Sequence, residues 1–198
     1  IWSVYTECLH GMPSKCPIRV AVPVNLRPYF NSITTKNFFV MVSAEFHPTK
    51  ETYTFAEVAA IVKESLRSQI NRENLEKLFS YNVSNEKLLI ARVVPLFLKN
   101  LAMKYVYTTS ALANTATITN IGNISVTEEY RPYVEMFHAF LAMSKGQHLK
   151  GTICSYGDTL VFSFSYDLVD ASVQRGFFRK IASDGIAVEI KSNGVNYE

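Results

Sequence analysis

Apolar and polar positions alternate along this chain with two distinct periods. Between residues 55 and 71, Phe55, Val58, Ala59, Val62, Leu66 and Ile70 recur at helical spacing, which predicts an amphipathic helix. Thr54 with Glu57 three residues on forms a capping box that starts it. Leu75, Leu78 and Phe79 extend the pattern into a second, short helix. Residues 85–107 also have helical spacing, with an interruption at Pro95, because proline begins helices better than it continues them. At the start of the chain Trp2, Tyr5 and Leu9 share a helical face, and His10-Gly11-Met12-Pro13 ends that helix.

Period-two patterning predicts the strands. Residues 17–24 (PIRVAVPV) and 37–46 (NFFVMVSAEF) are two of them. The second is apolar on both faces, which predicts a central strand covered on two sides. Residues 115–120 (TATITN) form a short β-branched strand that ends at Ile121-Gly122. The segment 133–143 fits helix or strand equally well on spacing. TICSY and TLVFSFSY flank Gly157-Asp158, the signature of a hairpin with a type II′ turn. In its second strand Leu160, Phe162, Phe164 and Tyr166 share one face, and Val161, Ser163 and Ser165 the other. Asp170 can cap a helix over 171–183 that stops at Gly185, and 186–190 (IAVEI) predicts a last strand. Strands come in pairs with helices between them, and no repeat or linker divides the chain. The expectation is one domain over 1–198, of α/β (α+β) class, with a mixed sheet flanked by helices.

Composition narrows the function classes. The 198 residues are 48% hydrophobic and 19% charged, as in ordinary globular proteins. A net charge of +3 with scattered Lys and Arg argues against a nucleic-acid partner. The aromatic residues alternate with Val and Leu, as core residues do. Cys8, Cys16 and Cys154 are odd in number and lack CxxC spacing, which favours free thiols in a reducing, cytoplasmic setting. Cys8, His10 and Cys16 fit no zinc spacing and have no fourth ligand nearby. No apolar run is long enough to span a bilayer. The chain begins with Ile1 and not Met, so preceding sequence is expected in the intact protein.

Most catalytic signatures are missing. The sequence has no GxSxG, GxGxxG, Walker or HExxH motif. His10, His47, His138 and His148 stand apart from one another. His47 precedes a proline and reads as a turn residue, and His138 as a packed or surface histidine. Asn82 and Asn123 begin glycosylation sequons, which have no meaning in a cytosolic protein.

Five stretches taken in order do carry a resemblance: PVNLR (23–27), NFF (37–39), TNIGNI (119–124), SYGDTLVFSFS (155–165) and FFRKIASDGIAVEI (177–190). Together, from about Pro17 to Asn193, they resemble the second half of a chloramphenicol-acetyltransferase-like protein. That superfamily includes peptide-synthetase condensation domains, and the order of the stretches is most similar to bacterial alcohol acetyltransferase-like proteins. The resemblance implies a half-domain of a two-lobed fold with a substrate tunnel between the lobes. It implies transfer of an acyl group from acyl-CoA or a carrier-bound thioester, as co-substrate and with no tightly bound cofactor, to an alcohol or amine. The family's HHxxxDG motif, which supplies the general base, is not in this sequence, so the base would come from a missing N-terminal lobe and this chain alone would be inactive. By the same resemblance Arg27 ties strand, loop and backbone together beside Asn25 and Asn37. Thr119, Asn120 and Gly122 would line the substrate site, with the Thr hydroxyl and Asn amide donating to an oxyanion; a plain strand-end turn is the equal alternative. Tyr156 and Asp158 read as turn residues. The rival expectation is a non-catalytic binding or dimerisation module derived from that fold, whose exposed lobe interface binds a partner or a second copy.

Overall fold

The computed structural model describes residues 1–87 and 94–193. It shows a mixed α/β arrangement in which helices flank one five-stranded mixed sheet. The strands are β1 (Ile18–Asn25), β2 (Phe39–Phe46), β3 (Ala116–Asn123), β4 (Leu149–Tyr156) and β5 (Thr159–Tyr166), in the order β2-β1-β3-β4-β5. β1, β3 and β4 run parallel, while β2 and β5 are antiparallel to their neighbours at the two edges.

The helices are a four-residue turn α1 (Arg27–Phe30), α2 (Phe55–Gln69), α3 (Arg72–Lys87), α4 (Leu96–Leu112) and α5 (Ser172–Ser183). The opening helix is a π-helical turn, Val4–Cys8, and it ends where His10 and Gly11 adopt positive φ. Residues 88–93, within the segment expected to be helical from 85 to 107, lie outside the described residues. Pro95 stands at the N-cap of α4, where its missing N–H costs nothing.

One face of the sheet holds the core. Tyr5, Ile18, Phe46 and Val58 form one buried cluster, and Leu26, Val40, Val42 and Leu75 form another against α2 and α3. α2 begins as its sequence predicts. Thr54 Oγ1 accepts from the Glu57 N–H at 3.3 Å, and Glu57 Oε2 accepts from the Thr54 N–H at 2.7 Å. Lys50 Nζ adds a 2.7 Å ion pair to the same carboxylate. Lys50 first, then the Thr54 amide and hydroxyl, hold Glu57 down at about 2. A depressed carboxylate stabilises the fold above its ordinary value of 4.5 and loses that contribution as pH falls toward 2. The wild-type protein should therefore lose stability more steeply than Glu57→Gln over that interval. Urea melts at successive pH values check this, and parallel curves would refute it.

β2 was expected in the middle of the sheet, and it is an edge strand. Its Val40, Val42, Ala44 and Phe46 face the core, whereas Phe39 and Met41 on the other face are 48% and 46% exposed. Apolar alternation reports which side chains need cover, but not which neighbour supplies it. α2 shields the outer edge: Gln69 Oε1 accepts from Ser43 N–H at 3.2 Å, Gln69 Nε2 donates to Ser43 O at 2.7 Å, and Ser65 Oγ accepts from Glu45 N–H at 3.1 Å. An edge dressed in this way does not template another strand.

Those bonds also explain why the sheet divides. Ser43 turns both its backbone groups outward, so its ladder partner Ala21 turns its own toward β3. Every second residue of β1 does the same, which aims Pro23 at β3. Proline has no N–H to offer, and the β1–β3 ladder stops after Val20–Ala116 and Ala21–Thr117.

At the far edge the hairpin is as predicted. Tyr156 pairs with Thr159 around Gly157, whose φ is +56°, and Asp158 keeps negative φ, as a type II′ turn requires. Phe162 and Phe164 pack on Phe177 and Phe178 of α5. Asp170 accepts from the Ser172 N–H at 2.9 Å, and α5 ends at Gly185 (φ +85°) with Ile186 N–H donating to Ile181 O at 3.4 Å, a Schellman closure.

Two further expectations need correction. Residues 186–190 join no strand, for the sheet already ends at β5 on that side and α2 occupies the other edge. Residues 134–143 are neither helix nor strand. They cross the polar face of β4 as a strap, fixed by the Cys154 thiol donating to Phe137 O at 3.3 Å and by Lys150 Nζ donating to Ala142 O at 2.6 Å. No helix among the described residues is long and apolar enough to cross a membrane.

Candidate functional site

The carboxyl ends of the parallel strands lie along one edge of the sheet, which is where ligands bind in open α/β sheets. β1 ends at Asn25 and continues into Arg27. Arg27 Nε donates to Thr34 O at 2.8 Å, Nη2 to Lys36 O at 2.7 Å, and Nη1 to Asn25 Oδ1 at 3.2 Å. Asn25 Oδ1 also accepts from the Arg27 N–H at 3.1 Å. The guanidinium fork thus binds the loop to the strand end, a structural use of its geometry. Asn37 makes no side-chain hydrogen bond among the described residues.

β3 contributes Thr119, Asn120 and Gly122. A bulge at Ile121 interrupts its register with β4, so that Asn120 opposes Ile153 and Gly122 opposes Cys154. Gly122 has φ +84°, and its N–H donates to Asn120 Oδ1 at 2.9 Å. Only a residue free of Cβ takes this conformation without strain. Adjacent residues of a strand point to opposite faces, so Thr119 lies on the polar face beside Thr152, and Asn120 is exposed on the other. The structure therefore brings these three residues to one strand end but does not converge the hydroxyl and the amide on one point. Among the described residues, the Thr119 hydroxyl on one face and the Asn120 NH₂ on the other make no side-chain hydrogen bond. Tyr156 stacks edge-on against Phe137 at 5.3 Å, and Asp158 serves the turn.

The polar face holds groups that sequence reasoning did not single out. In register across β3, β4 and β5 lie Thr119–Thr152–Ser163 and Thr117–Lys150–Ser165. Lys150 and Thr152 are buried beneath the strap. At the start of β4, His148 Nδ1 lies 2.9 Å from Asp167 Oδ1, on the surface. The alternation of Lys150, Thr152 and Cys154 with Gly151 and Ile153 along β4 was the available signal.

The cysteines provide no second centre. Partial desolvation, and then the charges of Asp170 and Glu7, push the Cys8 thiol above its ordinary range, which disfavours the reactive thiolate. No cluster of three or more His, Cys, Asp or Glu side chains among the described residues is arranged to hold a metal ion. A shallow hollow of about 240 Å³ near the α2–α3 junction is lined by Gln69, Asn74, Lys77 and Leu78. Comparison with protein-family models, with curated proteins and with solved structures finds no match.

Proposed function

We propose that this chain is one lobe of a two-lobed acyltransferase of chloramphenicol-acetyltransferase-like architecture. It would move an acyl group from a CoA-type or carrier-bound thioester to an alcohol or amine, with the general base on the companion lobe. The observation that supports this is the surface. The chain exposes 14408 Å², against about 9,400 Å² for a compact monomer of its length. Obligate interfaces bury about 2,000–5,000 Å² counted over both partners, so one partner of that size would cover part of this excess of about 5,000 Å². Much of it is apolar: Phe39 and Met41 on the sheet, and Phe97, Leu101, Met103 and Tyr105 on α4. The α4 residues lie on several sides of the helix, between Lys99, Asn100 and Lys104, and an exposed apolar surface of this extent marks an interaction site. On this reading the companion lobe covers those residues and faces Thr119 across the tunnel.

The second reading, a non-catalytic module that dimerises through the same surface, draws on a different detail. The Gly122 N–H is already bonded to Asn120, so one backbone donor that an oxyanion would use is occupied.

Alone, the chain should release no thiol from acetyl-CoA in the presence of an alcohol acceptor. Thiol release above the uncatalysed rate would overturn the assignment of the base to another lobe. The two readings separate on the sequence encoded ahead of Ile1: an HHxxxDG motif in the same frame supports the transferase, and a native start near Ile1 leaves the dimer.

A further inference from the structure

Lys150 is 7% exposed, and its ammonium donates to Ala142 O at 2.6 Å and Ser144 Oγ at 2.8 Å. An ammonium has three N–H groups, so one is left over. Lys150 forms no ion pair among the described residues. Asp167, just past the end of β5 and two positions beyond Ser165, the ladder partner of Lys150, is held by His148. A buried cation without counter-charge is unfavourable unless something anionic joins it.

The side chains around it are donors in want of acceptors. Thr117 and Ser165 flank Lys150 in the ladder, and Thr119 and Ser163 flank Thr152. Thr152 is 2% exposed, and its hydroxyl is buried without a partner. The other four hydroxyls make no side-chain hydrogen bond among the described residues. A hydroxyl left unmatched in an interior costs stability that a ligand would restore. One spare ammonium proton and a set of free hydroxyls on adjacent strands suit charged oxygens better than a neutral polyol, because charge-assisted bonds are the strong ones.

We propose that this half-covered patch of the sheet is an oxyanion site for a phosphate or carboxylate group, with Lys150 as its cation and Thr152 as its buried hydroxyl. Thr119 is shared with the proposed transferase site, but Lys150 and Thr152 are not, and only those two are substituted in the test.

Thermal melts at constant ionic strength, with inorganic phosphate or acetate replacing chloride, test it. The wild-type midpoint should rise saturably with at least one of the two. Thr152→Val should require at least tenfold more anion, and Lys150→Met should not respond. A response to phosphate alone assigns a phosphoryl group, and a response to acetate alone a carboxylate. If Lys150→Met does not fold, Thr152→Val decides. No saturable shift in the wild type, or equal shifts in the wild type and the folded variants, would overturn the site.

Discussion

Replacing Phe46 by Ala should cost about 3–5 kcal/mol, the usual range for emptying a phenylalanine site in a core. Phe46 is fully buried at the end of β2. It meets Tyr5 edge-on at 5.4 Å and Tyr53 at 5.0 Å. It therefore joins three separate parts of the chain: the opening π-helical turn, the edge strand, and the approach to α2. Tyr5 is itself fixed by its hydroxyl, which donates to Gly11 O at 2.6 Å, and it cannot follow the vacated space without breaking that bond. Against a total stability of about 5–15 kcal/mol for a typical domain, the loss would lower a urea midpoint severely. Phe39→Ala in the same strand is the control. Phe39 is half-exposed, and its removal should change stability by less than about 0.5 kcal/mol. Equal midpoints for the two variants would show that the core has been misplaced.

The second large effect is expected from adding bulk. A Cβ at Gly151 would stand 3.0 Å from Phe162 Cζ and 3.2 Å from Ile118 Cγ1. Phe162 cannot swing away freely, because it rests on Phe164 at 4.7 Å and Phe177 at 4.5 Å. Valine gains at most about 1 kcal/mol of strand preference over glycine, whereas overpacking costs about 1–3 kcal/mol. Gly151→Val should therefore be destabilising, and Gly151→Ala should fall between it and the wild type. Denaturant melts would show the order. A valine variant as stable as the wild type would mean that the aromatic stack has room to shift.

These two positions illustrate what could be learned from sequence. Features written in a few neighbouring residues were legible: the Thr54–Glu57 capping box, the Gly157-Asp158 turn, and the aromatic face of β5. Features that depend on distant residues were not. The apolar alternation of β2 says that both faces want cover, but the edge position is decided by β1, β3 and the side chains of Ser65 and Gln69. The IAVEI segment has a strand's pattern and no strand beside it. At the candidate site, Thr119, Asn120 and Gly122 do gather at the end of β3. That Thr119 and Asn120 face opposite ways follows from simple alternation, whereas the bulge at Ile121 needs the register with β4. The rows through Thr152 and Lys150 were invisible for the same reason, because each joins residues from three strands.

Pro23 has a mechanical consequence. β2 is bound to β1 along its whole length, and β5 likewise to β4, but the ladder between β1 and β3 has just the pairs Val20–Ala116 and Ala21–Thr117 among the described residues, with Thr115 N–H donating to Arg19 O at 2.7 Å beside them. The hydrogen-bonded ladder is therefore thinnest at that seam. Side chains hold the two halves together there: Val20 and Ala44 of one half pack with Ala116, Ile118 and Leu149 of the other, and Lys180 of α5 lies 4.4 Å over the Phe55 ring of α2. A sheet interrupted by a single imino acid thus depends on its apolar core, more than on its backbone, to keep both halves in line.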